Sequence, residues 1–329
     1  MDRIIVFLVS AVAVYLATFL ILKKLIPVLK SKKIGQKIYE IGPRWHAGKE
    51  GTPIMGGVSF IMASAAAVAV YAVISACRGD FSAFLPALLG YLMALANALI
   101  GFFDDYTKLI KKQNQGFKAW QKLALQLVAA AAYIAAMKLC GCITTALPIP
   151  FTDFELELGV FYYPIAVLVV AGIVNAANLT DGIDGLCSSV TAVIALFFGI
   201  AGIVFNASGL ALLSGVAFGG CIGFLMYNFY PAKIFMGDTG SLFLGGMAVA
   251  MAFTLGEPLI VFIAGIIYIC EVLSDILQVG YFKLTHGKRI FKMAPIHHHF
   301  EKCGWSEIKI VAVFSAVTLV GCIVAWLGI

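Results

Sequence analysis

Ten apolar runs long enough to cross a membrane occupy most of this chain, and that feature removes nearly every fold open to a polypeptide of its size. The runs lie at about 4–26, 53–76, 82–103, 120–140, 160–178, 186–206, 209–228, 240–256, 258–284 and 307–328. A helix needs about 20 apolar residues to span the hydrocarbon core of a bilayer. Composition agrees: of 329 residues, 62% are hydrophobic and 12% charged, whereas soluble domains carry about 25% charged residues. Mean hydropathy is +0.99. The expected fold is an all-α polytopic membrane protein of about ten transmembrane helices, one integral membrane domain over 1–329. The first run continues to about Leu22 without a small-residue cleavage site, so it is expected as a spanning helix rather than a removed signal. The run 258–284 contains Glu271 and Asp275 and is expected to be broken or tilted.

Charge sets the expected orientation. Of 23 lysines and arginines, only Arg3, Arg78 and Lys138 fall on one side. Loops 27–52, 104–119, 229–239 and 285–306, with the helix ends beside them, carry the rest. By the positive-inside rule the basic side is cytoplasmic, and an even number of crossings puts both termini outside. Asp80, Asp153, Glu155, Glu157 and Glu257 lie on the outer side. Segment 144–159 is too polar and too short to cross; Pro148, Pro150 and the alternation from Phe151 to Leu158 predict a small external β-hairpin. The eight cysteines have no metal-ligand spacing and are expected as small apolar packing residues.

Carboxylates are costly at membrane depth unless they pair or bind a cation. Yet five aspartates gather in three clusters, each at the cytoplasmic end of an apolar run. They are Gly101-Phe102-Phe103-Asp104-Asp105, Asn178-Leu179-Thr180-Asp181-Gly182-Ile183-Asp184-Gly185 and Phe235-Met236-Gly237-Asp238-Thr239-Gly240-Ser241. Lying on one side, the clusters can meet there and form a metal-dependent site at the bilayer surface. Asp104 and Asp105 are expected to end the third helix. Neighbours on a helix point about 100° apart, so one can hold a metal or take a proton while the other orients a lysine. Lys108 is within helical pairing distance of Asp104. A solvated helix end with an ordinary ion pair is the plainer reading. Asp181 and Asp184 are three apart, and Asn175 and Asn178 repeat that spacing. Thr180 or Asp181 is expected to cap the following helix, and exposed amides at such a turn favour phosphate. A cap alone does not need two asparagines and two aspartates. Asp238 is either an N-cap or a magnesium ligand, since a lone carboxylate completed by water and phosphate oxygens suits Mg2+. Phe235 is placed to stack on a nucleobase or to face lipid.

The basic loop ends in Lys49-Glu50-Gly51-Thr52-Pro53-Ile54-Met55-Gly56-Gly57. Each lysine near an anionic membrane surface contributes about 1 kcal/mol of attraction. Most of these lysines serve topology; Lys49, beside the Gly-Thr-Pro turn, stands apart. In Pro295-Ile296-His297-His298-His299-Phe300-Glu301 the three histidines can bind a transition metal or bond phosphate and polar substrate groups. With oxygen-rich acids and no cysteine partner, magnesium at the acids fits better than zinc at the histidines. Glu271 and Asp275, four apart in an apolar run, are either functional or a structural pair in the bundle interior.

Taken together, Gly51-Thr52-Pro53 with Met55-Gly56-Gly57, the three aspartate motifs and the histidine motif resemble the signature set of one family. It is the phospho-N-acetylmuramoyl-pentapeptide-transferase (MraY) family of polyprenyl-phosphate N-acetylhexosamine-1-phosphate transferases. The motifs stand in family order from about residue 49 to 301. Ile54 departs from the usual threonine, with no functional consequence expected. The resemblance implies Mg2+-dependent transfer of phospho-N-acetylmuramoyl-pentapeptide from its UDP carrier to undecaprenyl phosphate. Lipid I and UMP are the products, in the first membrane step of bacterial peptidoglycan synthesis. It implies a multi-pass enzyme of the bacterial cytoplasmic membrane with its site on the cytoplasmic face, assembled as a homodimer, with no nucleic-acid partner. Asp238 matches the magnesium-binding aspartate. Asp104 and Asp105 match the essential pair, Asp104 for the proton or attack step and Asp105 in support. Asp181, Asn178 and Gly182 match the nucleoside pocket, with Phe235 stacking on uracil, Lys49 and Thr52 nearby, and Asn175 and Asp184 completing the polar network. His297, His298 and His299 match a histidine loop near the phosphates or the sugar-peptide.

The nearest alternative is a sister transferase that uses UDP-N-acetylglucosamine. It would share the fold and acids, but the Pro-Ile-His-His-His-Phe-Glu loop favours the muramoyl-pentapeptide enzymes. A transporter with the acids as a coupling site belongs to another class. Transporters place such groups near the midplane at a repeat interface. Here they gather at one surface, and no internal repeat is visible.

Overall fold

A computed structural model describes residues 2–31, 49, 51–110 and 116–329. Much of the basic loop 27–52, His46 included, therefore falls outside the described residues. The helices are α1 (Arg3–Ser31), α2 (Gly57–Arg78), α3 (Phe81–Ile110), α4 (Ala119–Leu139), α5 (Tyr162–Thr180), α6 (Leu186–Val204), α7 (Ser208–Asn228) and α8 (Gly237–Leu255). They continue as α9 (Ile260–Ala264), α10 (Ile266–Leu284), α11 (Ile296–Lys302) and α12 (Glu307–Trp326). Strands β1 (Ala146–Pro148) and β2 (Glu155–Glu157) pair antiparallel with Leu147 opposite Leu156, within the expected hairpin.

Nine of these helices, among the described residues, are long and apolar enough to cross a membrane. The tenth expected run is broken at Gly265, which closes α9 with a bond from its N–H to Val261 O of 2.8 Å and opens α10. A side chain there would press on that same carbonyl, 2.7 Å from the Cβ position. Glu271, Asp275 and Lys283 make α10 the polar half of this run.

The two ends of the bundle differ. Arg3 Nε donates to Asn206 O at 3.2 Å, and Phe151 N donates to Gly328 O at 3.4 Å. Both chain ends thus lie at the hairpin end, together with the α6–α7 turn. Lys49, the α3–α4 and α5–α6 connections, the start of α8 and α11 share the opposite end. An even number of passes, with α9 and α10 making one between them, gives this result.

Helix α8 is the axis of the bundle. Of its apolar window 83% is buried, against 28% for α4. Small residues recur all round α8, which lets neighbours approach on every side. Gly57 of α2 abuts the backbone of Gly240, and Gly101 of α3 abuts the carbonyl of Asp238. The peripheral helices turn residues such as Leu20, Val70, Leu99 and Val128 outward, as a lipid-facing surface requires. One boundary differs from expectation: Asp104 and Asp105 do not end α3, which continues to Ile110. Lys108 is thereby carried on the same helix.

The Gly101 contact predicts that Gly101→Ala wedges α3 from α8. The overpacking cost is about 1–3 kcal/mol, read as a lower thermal midpoint in detergent. Gly172→Ala on α5, where an added Cβ meets nothing within 4 Å, is expected to leave the midpoint unchanged.

Candidate active site

Helix α8 begins at the site end without a cap of its own: the N-cap residue, Met236, makes no side-chain bond. The first amides of a helix need acceptors, and its dipole favours negative charge there. Asp105 supplies both from α3. Its Oδ1 accepts from Asp238 N at 3.2 Å, and its Oδ2 accepts from Thr239 N at 2.9 Å and Thr239 Oγ1 at 2.6 Å. Gly237 has φ +73°, and any Cβ on it would meet Asp105 Oδ2 at 2.5 Å. Backbone conformation and the carboxylate both demand glycine there.

That cap presents Asp238 to the next layer of charges. Asp238 Oδ2 accepts from Lys108 Nζ at 2.8 Å and Lys122 Nζ at 3.0 Å. Lys108 also bonds Asp104 Oδ2 at 2.6 Å, and Asp104 Oδ1 accepts from Phe117 N at 2.6 Å. Ligand oxygens of Asp104, Asp105 and Asp238 lie within 4.8 Å of one another. Asp104 and Asp105 are each 3% exposed. Oriented by its neighbours, the Asn178 amide donates to Asp238 Oδ1 at 3.0 Å and Ser241 Oγ at 2.7 Å, and accepts from Lys122 Nζ at 3.1 Å. Asp238 is therefore a first-turn residue of α8 and not its N-cap.

The 178–185 turn closes one side. Asp181 ends α5, and burial first, then the charges of Asp238, Asp105 and Asp184, pushes its carboxyl well above the usual carboxylate range. Asp184 is enclosed: Oδ1 accepts from Lys49 Nζ at 2.7 Å and Oδ2 from Ala232 N at 2.8 Å. Glu307 of α12 joins them, accepting from Lys49 Nζ at 2.6 Å and Asp184 N at 2.9 Å. Asn175 sits a turn deeper on α5 and donates to Gln126 Oε1 at 2.7 Å and to Ala171 O at 2.8 Å. The expected cap of α6 by Thr180 or Asp181 is not formed. The Thr180 hydroxyl donates back to Ala176 O at 2.8 Å, and α6 starts at Gly185, φ +78°. The chain needs a left-handed residue to turn there, and Asn228 takes the Gly185 amide at 3.1 Å instead.

Backbone bonds join the Gly-Thr-Pro segment to the α8 approach. Phe235 N donates to Pro53 O and Gly56 N to Phe235 O, both at 2.8 Å. Thr52 and Phe235 are half-buried beside each other's segment. The three histidines separate. His297 is buried, bonded through Nδ1 to Glu271 Oε2 at 2.9 Å, and packs on Gly182. His298 Nδ1 bonds Glu301 Oε2 at 2.6 Å. His299 faces away from them, accepting from Lys292 N at 3.1 Å. A cavity of about 350 Å³ opens beside Glu307, lined also by Tyr230, Glu301, Trp305 and Ser306.

Sequence reasoning singled out Asp104, Asp105, Asp181, Asp184 and Asp238, and the structure brings all five to one bundle end. It missed Lys122, Thr239, Ser241 and Glu307. Lys122 was counted only as a topology signal, although a lysine in the first turns of an apolar helix was a sign that an acid waits nearby.

The donor set is oxygen-only, buried and ringed by ammonium groups, which suits a hard divalent cation and phosphate. Comparison with known proteins agrees. The model of glycosyl transferase family 4 matches residues 87–256, which include all five aspartates. Proteins named phospho-N-acetylmuramoyl-pentapeptide-transferase match over nearly the whole chain. The one from Clostridium acetobutylicum is 45% identical over 307 residues, 92% of this chain and 93% of its own. That from Clostridioides difficile strain 630 is 42% identical over 322 residues, 97% of this chain and 96% of its own. That from Clostridium botulinum strain Eklund 17B is 44% identical over 306 residues, 92% and 90%. With aspartates, lysines and fold concordant, the chain belongs to the phospho-N-acetylmuramoyl-pentapeptide-transferase family of membrane transferases.

Proposed function

We propose that this protein transfers phospho-N-acetylmuramoyl-pentapeptide from UDP to undecaprenyl phosphate, releasing UMP and forming lipid I at the cytoplasmic face of the bacterial cytoplasmic membrane. The observation that carries this reading is the convergence of Asp104, Asp105 and Asp238 with Lys108 and Lys122 at one end of a membrane bundle. One substrate is confined to the bilayer and the other is soluble, and a site on helix ends meets both. The whole chain acts as one membrane domain, and a homodimer is the assembly that the family resemblance implies.

Asp238 would hold Mg2+, with Asp104 beside it; their oxygen atoms and the raised carboxyl of Asp181 describe a site with more negative charge than its lysines offset. When bound, the metal supplies charge neutralisation on the donor diphosphate. The remaining work falls to this chain's side chains. Phosphoryl transfer depends chiefly on positioning and electrostatics. Lys108 and Lys122 hold Asp238 through one oxygen and contribute cationic charge near the phosphates. Asp105 fixes the start of α8. Asn178, Asp181 and Gly182, with Phe235, Thr52 and Lys49 nearby, form the nucleoside end. Asp184 and Asn175 brace it through Lys49 and Gln126. His298 and His299 stand toward the sugar-peptide.

We favour direct attack of a lipid phosphate oxygen on the diphosphate, with UMP as leaving group. Asp105 has both carboxylate oxygens bonded into α8, and Asp104 is bonded by Lys108 and Phe117. Neither is a free nucleophile. The lipid phosphate is already anionic at neutral pH.

Purified protein in detergent is expected to release UMP only when UDP-N-acetylmuramoyl-pentapeptide, undecaprenyl phosphate and Mg2+ are all present. Chelation abolishes release, and Asp238→Ala lowers the rate by at least about 10²–10³-fold. Turnover with UDP-N-acetylglucosamine alone would refute the donor. Rapid quench without lipid acceptor is expected to leave Asp104 and Asp105 unphosphorylated; a trapped phospho-aspartate would replace direct attack by a two-step route.

A further inference from the structure

Glu271 of α10 is a carboxylate fully enclosed in an apolar run, 0% exposed, and its partner His297 of α11 is 1% exposed. Such a carboxylate is costly unless paired. Glu271 Oε2 bonds His297 Nδ1 at 2.9 Å, which fixes the orientation of the ring, as carboxylate–imidazole pairs do at metal sites. Two polar atoms of the pair, Glu271 Oε1 and His297 Nε2, are buried without a protein partner. Buried unpaired atoms cost about 1–3 kcal/mol each and persist where function retains them.

The far side of the ring meets the 181–184 turn. A Cβ built on Gly182 would collide with His297 Nε2 and lie 2.5 Å from its Cε1. Gly182 does not have a left-handed φ, so the backbone conformation does not call for glycine. The imidazole does: it occupies the space a side chain would take and acts as the wall against which the turn rests. Asp181 and Asp184 flank that contact, and Asp184 carries Lys49 and Ala232 N.

We propose that Glu271 is a positioning residue for the donor. Acting through His297, it holds the Gly182 turn, and with it Asp181 and Asp184, in the register that receives the nucleoside. The inference rests on the donor-binding role assigned to this turn above. It gives the first histidine of the motif a different task from the second and third: His297 braces from behind, while His298 and His299 stand on the outer side.

A double-mutant cycle tests this by steady-state kinetics, with donor and undecaprenyl phosphate varied separately. Glu271→Ala and His297→Ala are each expected to raise the donor KM about tenfold and leave the acceptor KM unchanged, the size of one lost hydrogen bond to a charged group. The double variant is expected to be no worse than the worse single one, because Glu271 acts only through the ring. Glu271→Gln, which still offers Nδ1 an acceptor, recovers most of the loss. If Glu271→Ala does not fold, Glu271→Met fills the site without charge and takes its place in the cycle. A Glu271 penalty that persists in full in the His297→Ala background, or that falls on the acceptor KM, overturns the proposal. The wild-type rate with UDP-N-acetylmuramoyl-pentapeptide tests the donor assignment separately, and the cycle is run with whichever UDP-sugar the wild type turns over.

Discussion

A carboxylate of one helix caps another inside the membrane bundle, and the site is built on that contact. Asp105 belongs to α3, yet it satisfies the opening amides of α8. Water would ordinarily take those amides at an exposed helix end; here the end is enclosed. The cap fixes where Asp238 leaves the backbone. Asp238 then fixes Lys108 and Lys122, and Lys122 meets Asn178 on α5. Four helices are thus registered by one chain of charge-assisted bonds, each short and few-jointed. Gly237 and Gly101 are the packing conditions for that chain, because side chains there would enter the space of Asp105 or of the Asp238 carbonyl.

The charges at this bundle end do not balance on their own. Asp104, Asp105, Asp181, Asp184 and Asp238 face Lys49, Lys108 and Lys122, and Glu307 takes a share of Lys49. The excess is felt most at Asp181, which has no lysine and is pushed toward its neutral form. A surplus of buried negative charge is unfavourable for a resting protein and useful for one that binds a cation with its substrate. The same surplus would repel two phosphates, so the lysines that hold Asp238 are as necessary as the acids.

Much of the fold was legible because the bilayer permits few solutions. Apolar runs gave the helices, basic loops gave the common end for the aspartate clusters, and Pro148 with Pro150 marked the hairpin. The site was legible in type because aspartates stood where aspartates are expensive. What escaped were partnerships between residues far apart in the chain. Adjacent Asp104 and Asp105 look equivalent in sequence, and only the position of α8 gives one to a helix end and the other to a lysine. The expected caps at Thr180 or Asp181 failed because local preference yielded to a tertiary partner, Asn228, and to the left-handed Gly185. The histidine motif read as a unit, but a short helix spreads its side chains about 100° apart, so its members face different surroundings.

The close approach of α3 to α8 at Gly101 has a mechanical consequence. With no side chain between them, the gap separating two helices also sets the distance from Asp104 to Asp238. Whatever squeezes or relaxes the bundle laterally acts directly on the reacting groups, with no flexible loop to absorb it. The surrounding lipid is then part of the scaffold, and its packing sets the geometry of a reaction it does not enter.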